Sequence, residues 1–102
     1  MAHKVVFRPR AEGHLNELYD YIASQSSESI AIGYVRRIRE ACESLAHVPE
    51  RGTKRDDILP GLRTIGFERR VTIAFRVLKT RVEIVTIAYG GRDFVRELRS
   101  QK

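Results

Sequence analysis

Eight arginines stand between residues 63 and 99: Arg63, Arg69, Arg70, Arg76, Arg81, Arg92, Arg96 and Arg99. A guanidinium is planar, permanently charged, and pairs a phosphate or a carboxylate in a two-pronged geometry. Recognition of acidic groups is therefore the first chemistry open to this chain. The plainer reading of any single arginine is a solvated surface charge. Catalysis asks for more. RNA cleavage by attack of the 2′-hydroxyl needs a base, cations to stabilise the phosphorane, and an acid for the leaving oxygen. Tyr89 is the best acid or base on offer, and its simpler reading is an amphipathic aromatic at a strand end. Glu68 and Glu83 read as charge partners of the arginines. His3 heads a strand, His14 falls in the first turns of a helix, and His47 lies near a helix end, with nothing to bring them together. No H-x-H, C-x-x-C or H-E-x-x-H spacing occurs, so neither a metal site nor a cofactor is expected. Cys42 is the only cysteine. It sits in a helical apolar pattern and reads as a buried thiol, not a nucleophile.

The charge is unevenly placed. Residues 1–47 hold six basic and six acidic side chains, and residues 48–102 hold thirteen basic and seven acidic. The whole surplus of the net +6 lies in the second part. A one-sided basic field suits a polyanion or an acidic protein. With 102 residues, 42% of them hydrophobic, the chain is expected to fold as one domain spanning 1–102. No apolar run is long enough to cross a membrane, and MAHKVVFRPR lacks a signal-peptide core, so a cytoplasmic location is expected.

Positioning those side chains falls to a short list of elements. HKVVF predicts a strand over His3 to Phe7. Pro9 suits the first turn of a helix. Leu15, Leu18, Tyr19 and Ile22 then recur from Ala11 at helical steps. SQSSES breaks the pattern, and Ser26 or Ser27 is placed to cap a second helix with Glu28 in its first turn. The apolar stripe of that helix is Ala31, Tyr34, Val35, Ile38, Ala41, Cys42 and Leu45, with Pro49 as its stop. The two stripes can bury each other only in a helix hairpin. ERGTKRDDILPG is a polar connection. Strands follow over Leu62 to Phe67, over Val71 to Val77, and from Val82 onward after a turn at Lys79-Thr80. Val85 and Ile87 make the last strand apolar on both faces, which predicts a central or doubly covered position. DFVRELRS predicts a short terminal helix. The expected order is β-α-α-β-β-β: an α+β fold with a helix hairpin packed on a mostly antiparallel sheet.

That order, together with FRPRAEGHLNELYDYI, VPERG, PGLR, VTIAFRV and VEIVTIAYGGRD in sequence, resembles the RelE/ParE superfamily of small bacterial toxins from type II toxin–antitoxin pairs. The resemblance covers nearly the whole chain. It is to the ParE-like branch, in the long helix hairpin and in the nuclease residues that are missing. Arg92 matches the C-terminal arginine of RelE-like ribosome-dependent mRNA endonucleases. The tyrosine expected a few residues later is absent, Leu98 standing thereabouts, and the central-strand arginine falls near Thr72. Arg69, Arg70 and Arg76 are close, but a shift of one residue turns a strand side chain to the other face.

The resemblance implies a non-catalytic inhibitor of DNA gyrase, neutralised by a ParD-like antitoxin whose acidic tail folds on the toxin. It implies contact with DNA only through the antitoxin or gyrase, and no membrane. The antitoxin- or target-binding set it suggests is Arg63, Arg69, Arg70, Arg76, Arg92 and Arg96, with a hairpin groove for nonpolar side chains. An uncovered hairpin face would favour a homodimer or a toxin–antitoxin hetero-oligomer. Two alternatives stand beside this one. The first is a RelE-like mRNA endonuclease using Tyr89 and Arg92. The second is a non-toxic protein that binds an antitoxin and acts as co-repressor.

Overall fold

The computed structural model describes residues 3–90, so Arg92, Arg96, Arg99 and the expected terminal helix lie outside the described residues. The elements are β1 (Lys4–Phe7), α1 (Pro9–Gln25), α2 (Glu28–Glu43) with a 3-10 turn at Ser44–Ala46, β2 (Thr53–Lys54), β3 (Leu62–Phe67), β4 (Val71–Val77) and β5 (Arg81–Tyr89). Pro9 opens α1 with its ring in the first turn, and the Ser27 side chain caps α2 by accepting from the Ile30 N–H. Pro9 has no N–H to leave unpaired at its helix start, and Ser27 supplies an acceptor for an N–H that the helix itself cannot pair.

The sheet order is β1-β5-β4-β3-β2. β1 runs parallel to β5, and the other pairs are antiparallel. Both helices lie on one face. Leu15, Leu18, Ile38, Cys42 and Leu45 pack there against Ile73, Phe75, Val82, Ile84 and Ile87. β5 sits between β1 and β4, as its two apolar faces require. Its register to β4 slips between Ala74 and Phe75, leaving Val85 as an extra residue. The bulge keeps Ile84 and Ile87 both toward the helices. Val85 packs on the other face, in a smaller cluster with Ile58, Leu62 and Ala74.

Two features differ from the expectation. The polar connection contains a strand, β2, whose two residues are too few to show any alternation. The second helix gives way at Ser44, ahead of Pro49. The Ser44 hydroxyl donates to the Ala41 carbonyl, and the tighter turn buries Leu45 in the core.

Candidate functional site

β1 ends at Phe7, opposite Ile84, so among the described residues the last part of β5 has no strand beside it on that edge. A helix side chain closes part of the gap. His14 of α1 is buried, and its Nδ1 accepts from the Ile87 N–H at 3.2 Å. That donor makes Nδ1 the acceptor of the ring, so the Thr86 hydroxyl, 2.8 Å away, donates to it as well. His14 therefore fixes the height at which α1 sits over the end of β5. Sequence reasoning found no role for this residue. Its partners lie more than seventy positions away, and only the tertiary fold brings them close.

Past His14 the strand delivers Tyr89 to a groove between the helix hairpin and the sheet. Tyr89 lies 6.0 Å from Tyr21 and 6.3 Å from Tyr34, centroid to centroid, and Tyr34 lies 6.2 Å from Phe67. Such tilted and edge-on pairs are the favoured arrangements for aromatic rings. Two hollows meet at Tyr89. One, of about 220 Å³, is lined by His14, Glu17, Leu18, Tyr21 and Ile87. The other, of about 300 Å³, is lined by Ile22, Ile30, Tyr34, Arg37, Glu68 and Arg70. Ile30 and Tyr21 are more than half exposed, at 56% and 53%, although both are large and apolar or aromatic. Side chains of this kind around a concave surface mark a place where another molecule docks.

The rim is charged. Arg37 holds Glu68 through two hydrogen bonds of 3.1 and 3.3 Å, and its guanidinium lies 5.2 Å from the Tyr34 ring centre. Glu68 is thus a charge partner, as the sequence suggested, and its carboxylate is engaged. Glu68 and Arg69 form the β3–β4 turn with φ of 50° and 63°. Two consecutive left-handed residues are the backbone of the hairpin turn that normally takes Asn-Gly. Here neither is glycine, and each adds about 1–2 kcal/mol of strain. Strain of this size tends to collect at functional sites. The Arg70 carbonyl accepts from the Gly90 N–H at 2.7 Å, tying this turn to the end of β5. The Tyr34 hydroxyl is buried without a hydrogen-bond partner. Burial raises its pKa first, then the neighbouring Tyr89 and Glu68, against the lowering pull of Arg37 and Arg70. Tyr34 is therefore a hydrogen-bond donor at neutral pH and no base.

The arginines do not form one surface. Arg70 lines the groove, and Arg69 precedes it in the β3–β4 turn. Arg63 and Arg76 lie at the other end of these strands, opposite Phe75 and Leu62 respectively. Six strand residues, about 20 Å, separate Arg70 from Arg76. Arg63 reaches the Arg51 carbonyl at 3.4 Å and lines a separate hollow with Lys54 and Asp56. Arg92 and Arg96 lie outside the described residues. Tyr89 is half-buried among aromatics. Among the described residues the histidines do not converge, and no group of three or more His, Cys, Asp or Glu is placed to hold a metal. No described helix is long and apolar enough to cross a membrane. Cys42 is fully buried, and burial pushes its thiol up to about 12, as befits a structural cysteine. The groove offers apolar surface, the unpartnered Tyr34 hydroxyl and arginine charge.

Known proteins share this architecture. The family model described as ParE toxin of type II toxin-antitoxin system, parDE, matches residues 5–94. Toxin ParE1 of Mycobacterium tuberculosis is 26% identical over 99 residues, which are 96% of this chain and all of that protein. A chain of the chromosomal ParDE TA system from P. aeruginosa superposes with a TM-score of 0.76 at 26% identity, covering 87% of this chain and 97% of its own. The toxin–antitoxin complex RelBE2 from Mycobacterium tuberculosis contains a chain with the same fold, with a TM-score of 0.62 at 17% identity over 87% of this chain and 99% of that one.

Proposed function

The chain belongs to the ParE toxin family of type II toxin–antitoxin systems, and we propose that it inhibits DNA gyrase without cleavage chemistry of its own and is neutralised by a ParD-like antitoxin lying in the groove around Tyr89. The observation that carries the antitoxin part is the groove. Its aromatic floor of Tyr21, Tyr34 and Tyr89 accepts apolar side chains, and Ile30 extends that floor onto α2. Arg69 and Arg70 are in no salt bridge among the described residues, which leaves them for the carboxylates of an acidic tail. The Tyr34 hydroxyl, buried and without a partner, gains an acceptor when a peptide backbone passes over it. A disordered tail that folds in this groove loses chain entropy, and the apolar floor offsets that cost.

Two further observations favour inhibition by binding over RNA cleavage. Glu68 is held by Arg37, and burial raises the Tyr34 pKa, which keeps its phenol protonated. The gyrase target is carried over from the resemblance to ParE-like toxins, and it is tested directly. Purified protein, free of antitoxin, is added to a gyrase supercoiling reaction. Inhibition that the cognate antitoxin relieves supports the proposal. Folded protein that leaves supercoiling unchanged refutes the gyrase part, and cleavage of mRNA on translating ribosomes would then assign the activity elsewhere.

A further inference from the structure

A second charged surface lies on the face of the sheet away from α1 and α2, at the start of β5. In the parallel pair Lys4 stands beside Arg81 and Val6 beside Glu83, and across β4 Arg76 stands opposite Glu83. Val5, Phe7, Phe75, Val77, Val82 and Ile84 pack toward the helices. Strand alternation therefore sends Lys4, Arg76, Arg81 and Glu83 to the other face. Arg8, just before α1, reaches the same place. Its Nη2 lies 2.8 Å from Glu83 Oε1, and Arg81 Nη2 lies 4.0 Å from Glu83 Oε2.

Arg8 and Arg81 thus flank one carboxylate, with Lys4 and Arg76 on the same face of the sheet. The Glu83 side chain is only 14% exposed, against 40% for Arg8 and 49% for Arg81. The carboxylate lies largely within the sheet, while Arg8 and Arg81 keep much of their side chains exposed. With strands about 4.8 Å apart and a rise of about 3.3 Å per residue, the patch covers roughly 10 by 13 Å.

We propose that this face is a contact for the phosphate backbone of duplex DNA, made by the toxin itself. The choice of nucleic acid over an acidic protein rests on what the patch lacks. The large exposed hydrophobic residues among those described are Tyr21, Ile30, Ile32 and Val48, and none belongs to it. A protein interface draws its affinity from buried apolar and aromatic anchors. Phosphate contacts need only fixed cations. The patch is also independent of the groove. Arg81 and Tyr89 are at opposite ends of β5, about 26 Å apart, so a peptide held at Tyr89 leaves this face open.

The test is fluorescence anisotropy of the full-length protein with a random-sequence duplex of about 20 base pairs, titrated from about 50 to about 200 mM salt. The double variant Lys4→Gln/Arg81→Gln is compared with Arg69→Gln/Arg70→Gln, which removes the same charge at the groove. Circular dichroism checks that both are folded. The first variant is expected to lose about eightfold in affinity per contact at 0.1 M salt and to flatten the logarithmic salt slope by about 2. The second is expected to keep the wild-type slope. Equal losses in both variants would reduce the effect to net charge and overturn the proposal. So would absence of duplex binding at the lowest salt, or binding of polyglutamate in place of DNA. The readout does not involve toxicity, so it stands or falls apart from gyrase inhibition.

Discussion

Replacing His14 by alanine should destabilise this protein more than its place near the start of a helix suggests. The imidazole Nδ1 is the acceptor for the Ile87 N–H and the Thr86 hydroxyl, and all three groups are buried. His14→Ala leaves two donors without their acceptor. Each unsatisfied buried donor costs about 1–3 kcal/mol. The Thr86 hydroxyl can rotate in search of another acceptor, whereas the Ile87 N–H is fixed in the strand. We expect a loss of about 2–5 kcal/mol, a large part of the roughly 5–15 kcal/mol that holds a domain together. Urea unfolding at neutral pH reads it as a shift of midpoint at constant slope. His14→Asn puts an amide oxygen near the position of Nδ1 and should recover about half of the loss. Thr86→Val, which removes only one of the two donors, should cost about 1 kcal/mol. His47→Ala, at an exposed position, should cost almost nothing. If His14→Ala matches His47→Ala, the edge-capping role is wrong.

Other consequences are simpler to state. Gly52 has φ of +79°, and a Cβ there would stand 2.2 Å from the Thr64 carbonyl oxygen, so Gly52→Ala should unseat β2 and lower stability by more than about 1 kcal/mol, read by urea unfolding. Arg69→Gly should relieve the left-handed turn and raise stability by about 1 kcal/mol in the same assay. Burial lifts the Cys42 thiol from 9.0 to about 12, so above pH 9 the unfolded chain ionises where the folded one does not. Unfolding then releases a proton, and stability should fall with rising pH, by about 1.4 kcal/mol at pH 10, a loss absent in Cys42→Ala.

Where local chemistry decides an element, the sequence is readable. Pro9, Ser27 and the alternation of Val71, Ile73, Phe75 and Val77 act within a few residues of themselves, and each is where it was expected. The central place of β5 follows from Val85 and Ile87, because a strand apolar on both faces must be covered on both. β2 stays hidden, since two residues held by pairing with Thr64 and Arg63 carry no pattern of their own. The site is less legible than the fold. Tyr34 reads as one more member of an apolar stripe, and only the meeting of α2 with Phe67 and Tyr89 gives it a role. Arg63, Arg70 and Arg76 look alike in sequence. The antiparallel register of β3 and β4 divides them between two ends of the sheet, a separation that charge counting cannot reveal.

The sharpest test of the groove compares two neighbouring isoleucines. Ile30 and Ile32 are exposed almost equally, at 56% and 54%, on the same helix, but only Ile30 lines the groove. Both aspartate variants should remain folded, because neither side chain is in the core. Isothermal titration with the cognate antitoxin should show at least about a tenfold loss of affinity for Ile30→Asp, the effect of a charge in an apolar contact, and no change for Ile32→Asp. Equal affinities for the two variants would contradict the placement of the antitoxin around Tyr89.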